Sequence, residues 1–109
     1  MDNLKIISSK SAKLQLLHIS GAINSYTFSE FETKIFDAIK ISDVVLDMSA
    51  VTHLSSSGLG VLMSANEEGE EIGHSVYIMQ PSNAVKLAID FTGFSDMFNF
   101  IHSIEEVRH

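Results

Sequence analysis

Apolar and polar positions along the chain alternate between two periods. Leu4 to Ser8 and Leu14 to Ser20 are strand-like. In the second stretch Leu14, Leu16, His18 and Ser20 interleave with Gln15, Leu17 and Ile19, so both faces carry apolar residues. The polar segment Ser9 to Lys13 between them predicts a turn and hence a hairpin. Gly21 then frees the chain for a loop. Thr27-Phe28-Ser29-Glu30 has the form of a capping box, with Tyr26 and Phe31 at the hydrophobic-staple positions. Phe28, Phe31, Ile35 and Ile39 follow at helical spacing, which predicts an amphipathic helix from Thr27 to Ile41.

The second half repeats a strand-helix rhythm. The apolar run Asp43 to Met48 suits a strand buried on both faces. Gly58 to Glu71 predicts a second helix, with Leu59, Leu62, Met63 and Asn66 on one face and Gly73 as its stop. His74 to Met79 predicts another buried strand. Pro81-Ser82 introduces a third helix, Asn83 to Thr92, ended by Gly93. Phe98 to His102 predicts a last strand, and Ser103-Ile104-Glu105-Glu106 a second capping box opening a terminal helical turn. The order ββαβαβαβ(α) implies an α/β fold, a mixed but mostly parallel sheet of four to five strands with three main helices. In such sheets function gathers where strands end and helices begin. Gly21 to Tyr26 and Ser49 to Ser57 are the two loops expected there.

Composition narrows the function classes. The 109 residues suffice for one domain, 1–109, with 45% hydrophobic residues to build a core. The formal net charge of -7 argues against nucleic acid and against an anionic membrane surface. The absence of cysteine excludes disulfides, zinc-thiolate sites and thiol catalysis. No stretch approaches the roughly 20 apolar residues of a membrane helix, nor does the start resemble a signal peptide. A cytoplasmic binding or switching module, not an enzyme, is the expectation.

One segment carries specific chemistry: Asp47-Met48-Ser49-Ala50-Val51-Thr52-His53-Leu54-Ser55-Ser56-Ser57-Gly58-Leu59-Gly60. One serine can cap the second helix, which leaves two hydroxyls free. Gly58 and Gly60 permit close packing, but each costs a helix about 1 kcal/mol relative to alanine. A phosphate-binding loop would need a lysine, and none lies between Lys40 and Lys86. A nucleophile elbow would need glycine where Leu54 stands. Asp47, His53 and Ser56 imitate a catalytic triad only in composition. An exposed hydroxyl at a helix N-terminus remains a good phosphoacceptor, because the helix dipole favours the anion.

The segments Asp47 to Val51 and Ser55-Ser56-Ser57-Gly58-Leu59-Gly60-Val61-Leu62 resemble the signature of STAS domains, most of all the stand-alone bacterial anti-sigma factor antagonists. Gly21-Ala22-Ile23-Asn24, Gly73 to Met79, Ser82 to Leu87 and Gly93-Phe94 follow in that family's order. The resemblance implies a partner switch. Ser56 is then the phosphoacceptor, with Ser55 or Ser57 as alternatives. The partners are an anti-sigma factor that is a serine kinase of histidine-kinase-type ATPase fold, and a PP2C-type phosphatase. Asn24, Ser25, Ser55, Ser57, Gly58, Leu59 and Met63 form the expected partner surface. No cofactor or metal is implied. Ser55 stands where the family usually has an acidic residue, Asn24 where it usually has Asp, and Glu67-Glu68-Gly69-Glu70-Glu71 where basic residues are frequent. A partner would then present a more basic face. The alternative is a structural STAS subunit of a transporter or signalling complex, its serines serving only as caps. Nucleotide binding at the Gly58-Gly60 helix start is a third possibility.

Other features are expected to be structural. Glu67 to Glu71 lacks the spacing of a calcium loop, and His18, His53, His74, His102 and His109 show no metal-ligand pair. Met48, Met63, Met79 and Met97 suit core filling, Met63 alternatively a partner surface. Phe91, Phe94, Phe98 and Phe100 suit core packing at the C-terminal edge. A last helix shorter than the family's would uncover a patch near Phe98 and Phe100.

Overall fold

A computed structural model describes residues 3–11 and 14–107. The elements are β1 (Lys5–Ser11), β2 (Leu14–Ile23), α1 (Phe28–Ile39), β3 (Asp43–Leu54), α2 (Ser56–Ile72), β4 (Val76–Met79), α3 (Asn83–Thr92) and β5 (Asn99–Ile101). Single 3-10 turns lie at Ser95–Met97 and Ile104–Glu106. The order is the one the pattern predicts. The five strands lie side by side in chain order. β1 pairs antiparallel with β2, and every later pair is parallel.

This strand order has a packing consequence. Three crossovers of one hand, all stepping the same way, put their helices on one face of the sheet. Phe31, Ile35, Val61, Leu62, Val85 and Ile89 from the helices accordingly share one core with Leu17, Ile19, Leu46, Met48 and Ile78 from the strands. The opposite face holds a smaller cluster of Leu14, Val45, Ile101 and Val107, with Leu16, Tyr77, Met79 and Ile104 packed around it. The C-terminal turn covers that face. Ser103 and Glu106 form the expected capping box, in which Glu106 accepts the Ser103 N–H at 2.8 Å.

Several boundaries depart from the sequence expectation. Ser9, Lys10 and Ser11 belong to β1, paired with Leu16, Gln15 and Leu14, and not to the turn that the polar run suggested. Ala12 and Lys13, the rest of that run, lie outside the described residues. Gly21 does not open a loop. It sits inside β2 at φ 95°, beside register shifts in the pairing with β3. A Cβ there would fall 2.1 Å from the Asn3 carbonyl oxygen, so only glycine fits. β3 continues through Ser49–His53 to Leu54 instead of ending at Met48. α1 spans 28–39, shorter than predicted, and β4 and β5 lose a residue or two at their ends. Of the four aromatic residues assigned to the C-terminal core, only Phe98 is buried; Phe91, Phe94 and Phe100 are exposed. Met48 is fully buried, Met63 and Met79 are half-buried, and Met97 is exposed.

α2 is seated by a close approach. An added Cβ at Gly58 would lie 2.5 Å from Ile23 Cγ2 and 2.8 Å from Leu54 Cδ1. Both neighbours are buried and have no room to retreat. Gly58→Val is expected to destabilise the fold by about 1–3 kcal/mol, as overpacking does, measured by urea denaturation. An unchanged midpoint would show that the seat is loose.

On the sheet face away from the helices, His18 Nδ1 lies 2.9 Å from Asp47 Oδ2. Burial works against the Asp47 charge. Hydrogen bonds from the Ser49 hydroxyl at 2.8 Å and the Ser49 N–H at 3.1 Å, together with His18, outweigh it. Its carboxyl is therefore held below the usual carboxylate range. A depressed carboxylate contributes stability above its unfolded pKa of about 3.9 and loses it as pH falls through the folded value. The stability gap between the native chain and Asp47→Asn is thus expected to be present at pH 7 and to close below about pH 4, followed by urea midpoints across that range. A gap independent of pH would contradict this assignment.

Candidate functional site

The ends of β2 and β3 bring the two expected loops together. Ala22 pairs with His53 and Ile23 with Leu54. The Ser55 N–H then donates to the Ile23 carbonyl at 2.8 Å, closing the pairing one residue further. The chain leaves one strand end into α1 and the other into α2. Asn24 and Ser55 follow directly on paired residues, so the helix starts lie side by side.

Each start is organised by a side chain, but α1 not by the one predicted. The Thr27–Glu30 box does not form. Thr27 Oγ1 donates instead to the Ala22 carbonyl at 2.7 Å and accepts the Asn24 N–H at 2.9 Å. Asn24 Oδ1 accepts the N–H groups of Tyr26 and Thr27 at 2.8 and 3.1 Å. The asparagine thus holds the turn that Thr27-Glu30 was expected to hold. Tyr26 is not a staple, being 92% exposed next to the exposed Ser25. This aromatic neighbour of the site is missing from the sequence reading because helix-start spacing also explains it.

At α2 the serine run is sorted by geometry. Ser55 has extended backbone and is the N-cap, its hydroxyl oxygen accepting the Gly58 N–H at 3.2 Å. The helix therefore begins at Ser56, two residues before the predicted Gly58. Ser56 is exposed and Ser57 half-buried. Gly58 lies buried beneath them against Ile23 and Leu54, while Gly60 is exposed with open space around it. Leu59 and Met63 are half-buried against the core and present only part of their surface.

The two loops that lead into the helices are uncharged, and α1 carries Glu30 only in the turn that follows. Neither 24–27 nor 55–60 carries a charged side chain. The amide of Asn24 supplies the same acceptor oxygen a carboxylate would, without its charge. The glutamates of α2 lie in its last two turns, where Glu67, Glu68, Glu70 and Glu71 are all exposed. A hydroxyl on the first turn of a 17-residue helix stands at the positive end of its dipole.

The triad-like composition is not assembled. Asp47 is engaged with His18 and Ser49, and His53 is exposed on β3. Among the described residues no group of three or more His, Asp or Glu side chains is placed to hold a metal ion. No described helix is long and apolar enough to cross a membrane. An open cleft of about 680 Å³ lies at the carboxyl ends of the later strands, between Gln80, Asn83, Lys86, Phe100 and His102. None of the three adjacent serines lines it.

Comparison with known proteins places this geometry. An anti-sigma factor antagonist from Mycobacterium paratuberculosis superposes with a TM-score of 0.82 at 23% identity, over 95% of this chain and 90% of that one. The Bacillus cell fate determinant SpoIIAA, in its phosphorylated form, superposes with a TM-score of 0.68 at 16% identity, over 97% and 95%. SLC26A9 contains the same fold, with a TM-score of 0.73 at 15% identity over 89% of this chain and 19% of that one. The family model of the STAS domain matches residues 6–107. With its β2 and β3 ends joined under the first turn of α2, this chain belongs to the STAS domain family.

Proposed function

We propose that this protein is a non-enzymatic partner switch of the anti-sigma factor antagonist type, with Ser56 as its phosphoacceptor. One observation carries the reading: of the adjacent serines, Ser55 is consumed as the cap of α2, while Ser56 presents an exposed side chain on the first turn. The likeness in fold to an anti-sigma factor antagonist and to a phosphorylated SpoIIAA supports it. The unphosphorylated chain would bind an anti-sigma serine kinase of histidine-kinase-type ATPase fold and so free a sigma factor. Phosphorylation would release it, and a PP2C-type phosphatase would reset it.

The physics of release is local. A phosphate brings about −1.5 to −2 charges and three acceptor oxygens to a neutral rim. The α2 dipole keeps the modified helix folded. A partner surface seated on Asn24, Ser25, Ser55, Ser57, Leu59 and Met63 would have to desolvate that dianion, which strongly opposes binding. Tyr26, exposed beside them, adds an aromatic anchor to the same rim.

A second reading has one observation in its favour. SLC26A9 carries this fold within a chain of which the match covers 19%, so the fold also serves as a part of larger proteins. There the serines would act as caps alone.

The test separates the two. Incubation with the cognate kinase and ATP is expected to add one phosphate, mapped to Ser56 by mass spectrometry of the 51–86 region. Ser56→Ala should bind the kinase as the native chain does and take up no phosphate. Ser56→Asp should weaken binding at least tenfold by calorimetry, with circular dichroism unchanged. Phosphate on Ser57 would keep the switch and move its residue. A folded Ser56→Asp variant that binds as tightly as the native chain, or a native protein bearing no phosphate under any growth condition, would favour the structural-subunit reading.

A further inference from the structure

The outer face of α3 exposes a group of large apolar side chains. Phe91, in the last turn of α3, is 89% exposed, Leu87 60%, and Phe94, just past the Gly93 stop, 54%. Leu87 and Phe91 are one turn apart on the same face. Together the three residues expose roughly 400 Å², within the range of the largest patches on soluble proteins, which are often functional.

The charges on this face point to the occupant. α3 carries one cation, Lys86, and one anion, Asp90, again one turn apart, and is neutral. α1 has three carboxylates against one lysine, and α2 has four glutamates and no base. In a chain of net charge -7, this is the helix on which a second copy meets no net repulsion. Among the described residues neither Lys86 nor Asp90 forms an ion pair within the chain. A two-fold axis that sets α3 antiparallel to its copy maps each flank of the helix onto the same flank reversed. With the axis near Ala88, Lys86 comes opposite Asp90 of the second copy, and Asp90 opposite its Lys86. On the other flank Phe91 lies over Ala84 and Leu87 of the second copy. The pattern is complementary to itself.

We infer that the α3 face is an isologous dimer interface, and that its partner is a second copy of this chain. The patch and its polar rim are small beside a standard interface, so the association is weak and depends on concentration. The inference does not depend on Ser56, because α3 contributes nothing to the switch rim.

Sedimentation equilibrium of the full chain tests it, over concentrations spanning roughly 1 to 500 µM, the window of a small interface. The native chain should self-associate. Phe91→Glu should raise the dissociation constant more than tenfold. Lys86→Asp, which opposes like charges across the axis, should also weaken the dimer about tenfold. The double swap Lys86→Asp with Asp90→Lys should restore it to within about twofold, since the reciprocal pairs re-form. All these positions are exposed, so the fold, checked by circular dichroism, should stay intact. A native chain that stays monomeric throughout overturns the inference and leaves the face to a different protein. A dimer unaffected by Phe91→Glu, or not restored by the swap, overturns the assignment to α3.

Discussion

The first turn of α2 sits where it does because position 58 has no side chain. Ile23 and Leu54 end two parallel strands side by side, and the helix must start directly above them. Any Cβ would fall within 2.8 Å of both side chains. The close seat fixes everything around it. It lets the Ser55 N–H reach the Ile23 carbonyl and turns the Ser55 hydroxyl to the Gly58 N–H. It therefore decides which serine is spent on structure and which faces outward. The helix loses about 1 kcal/mol of intrinsic stability at this glycine. Burial of Val61, Leu62 and Ala65 on the same helix offsets that loss.

Elements whose local chemistry and tertiary environment agree were legible in the sequence. α3 came out residue for residue, because Ser82 caps it, Gly93 takes the left-handed conformation at its end, and no competing partner intervenes. The succession of strands and helices along the chain followed from the alternation of periods, while the order of strands across the sheet, and the one-sided placement of helices with it, emerges only in the structure. Elements in which a distant group wins were misread. The Thr27 hydroxyl was predicted to cap α1, yet the Ala22 carbonyl, five residues back, takes it. Ser49 to His53 read as a loop because Ser49, Thr52 and His53 break its apolar run. In the sheet only Val51 of that stretch needs to be buried, and pairing with the far end of β2 keeps the rest extended. The four phenylalanines near the C-terminus read as core because composition cannot say which way a side chain points, and three of them point out.

The site was legible as a motif and not as a geometry. Three identical hydroxyls in a row carry no order in sequence. Their division into a cap, an exposed hydroxyl and a half-buried one arises only when β2 and β3 fix the start of α2. The same holds for Asn24. As a replacement for an acidic residue it reads as a lost charge, but its carbonyl oxygen organises the entry to α1 with two backbone hydrogen bonds. The absence of charge in both loops is thus compatible with intact loop structure, since capping requires an acceptor and not a charge.

That neutrality bears on how a phosphate would act here. α2 has no acidic residue in its first turn and four glutamates in its last two, the reverse of what its dipole favours. No basic residue stands in the last turn to compensate. The helix is held by its buried face, not by its charges. A dianion at Ser56 would supply the missing negative charge at the favourable end and so stabilise the helix it modifies. The same dianion would appear on a rim with no charge of its own, where it dominates the local field. Under the proposed reading, stabilising the switch helix and repelling its partner are then two effects of one charge, and neither requires the backbone to move.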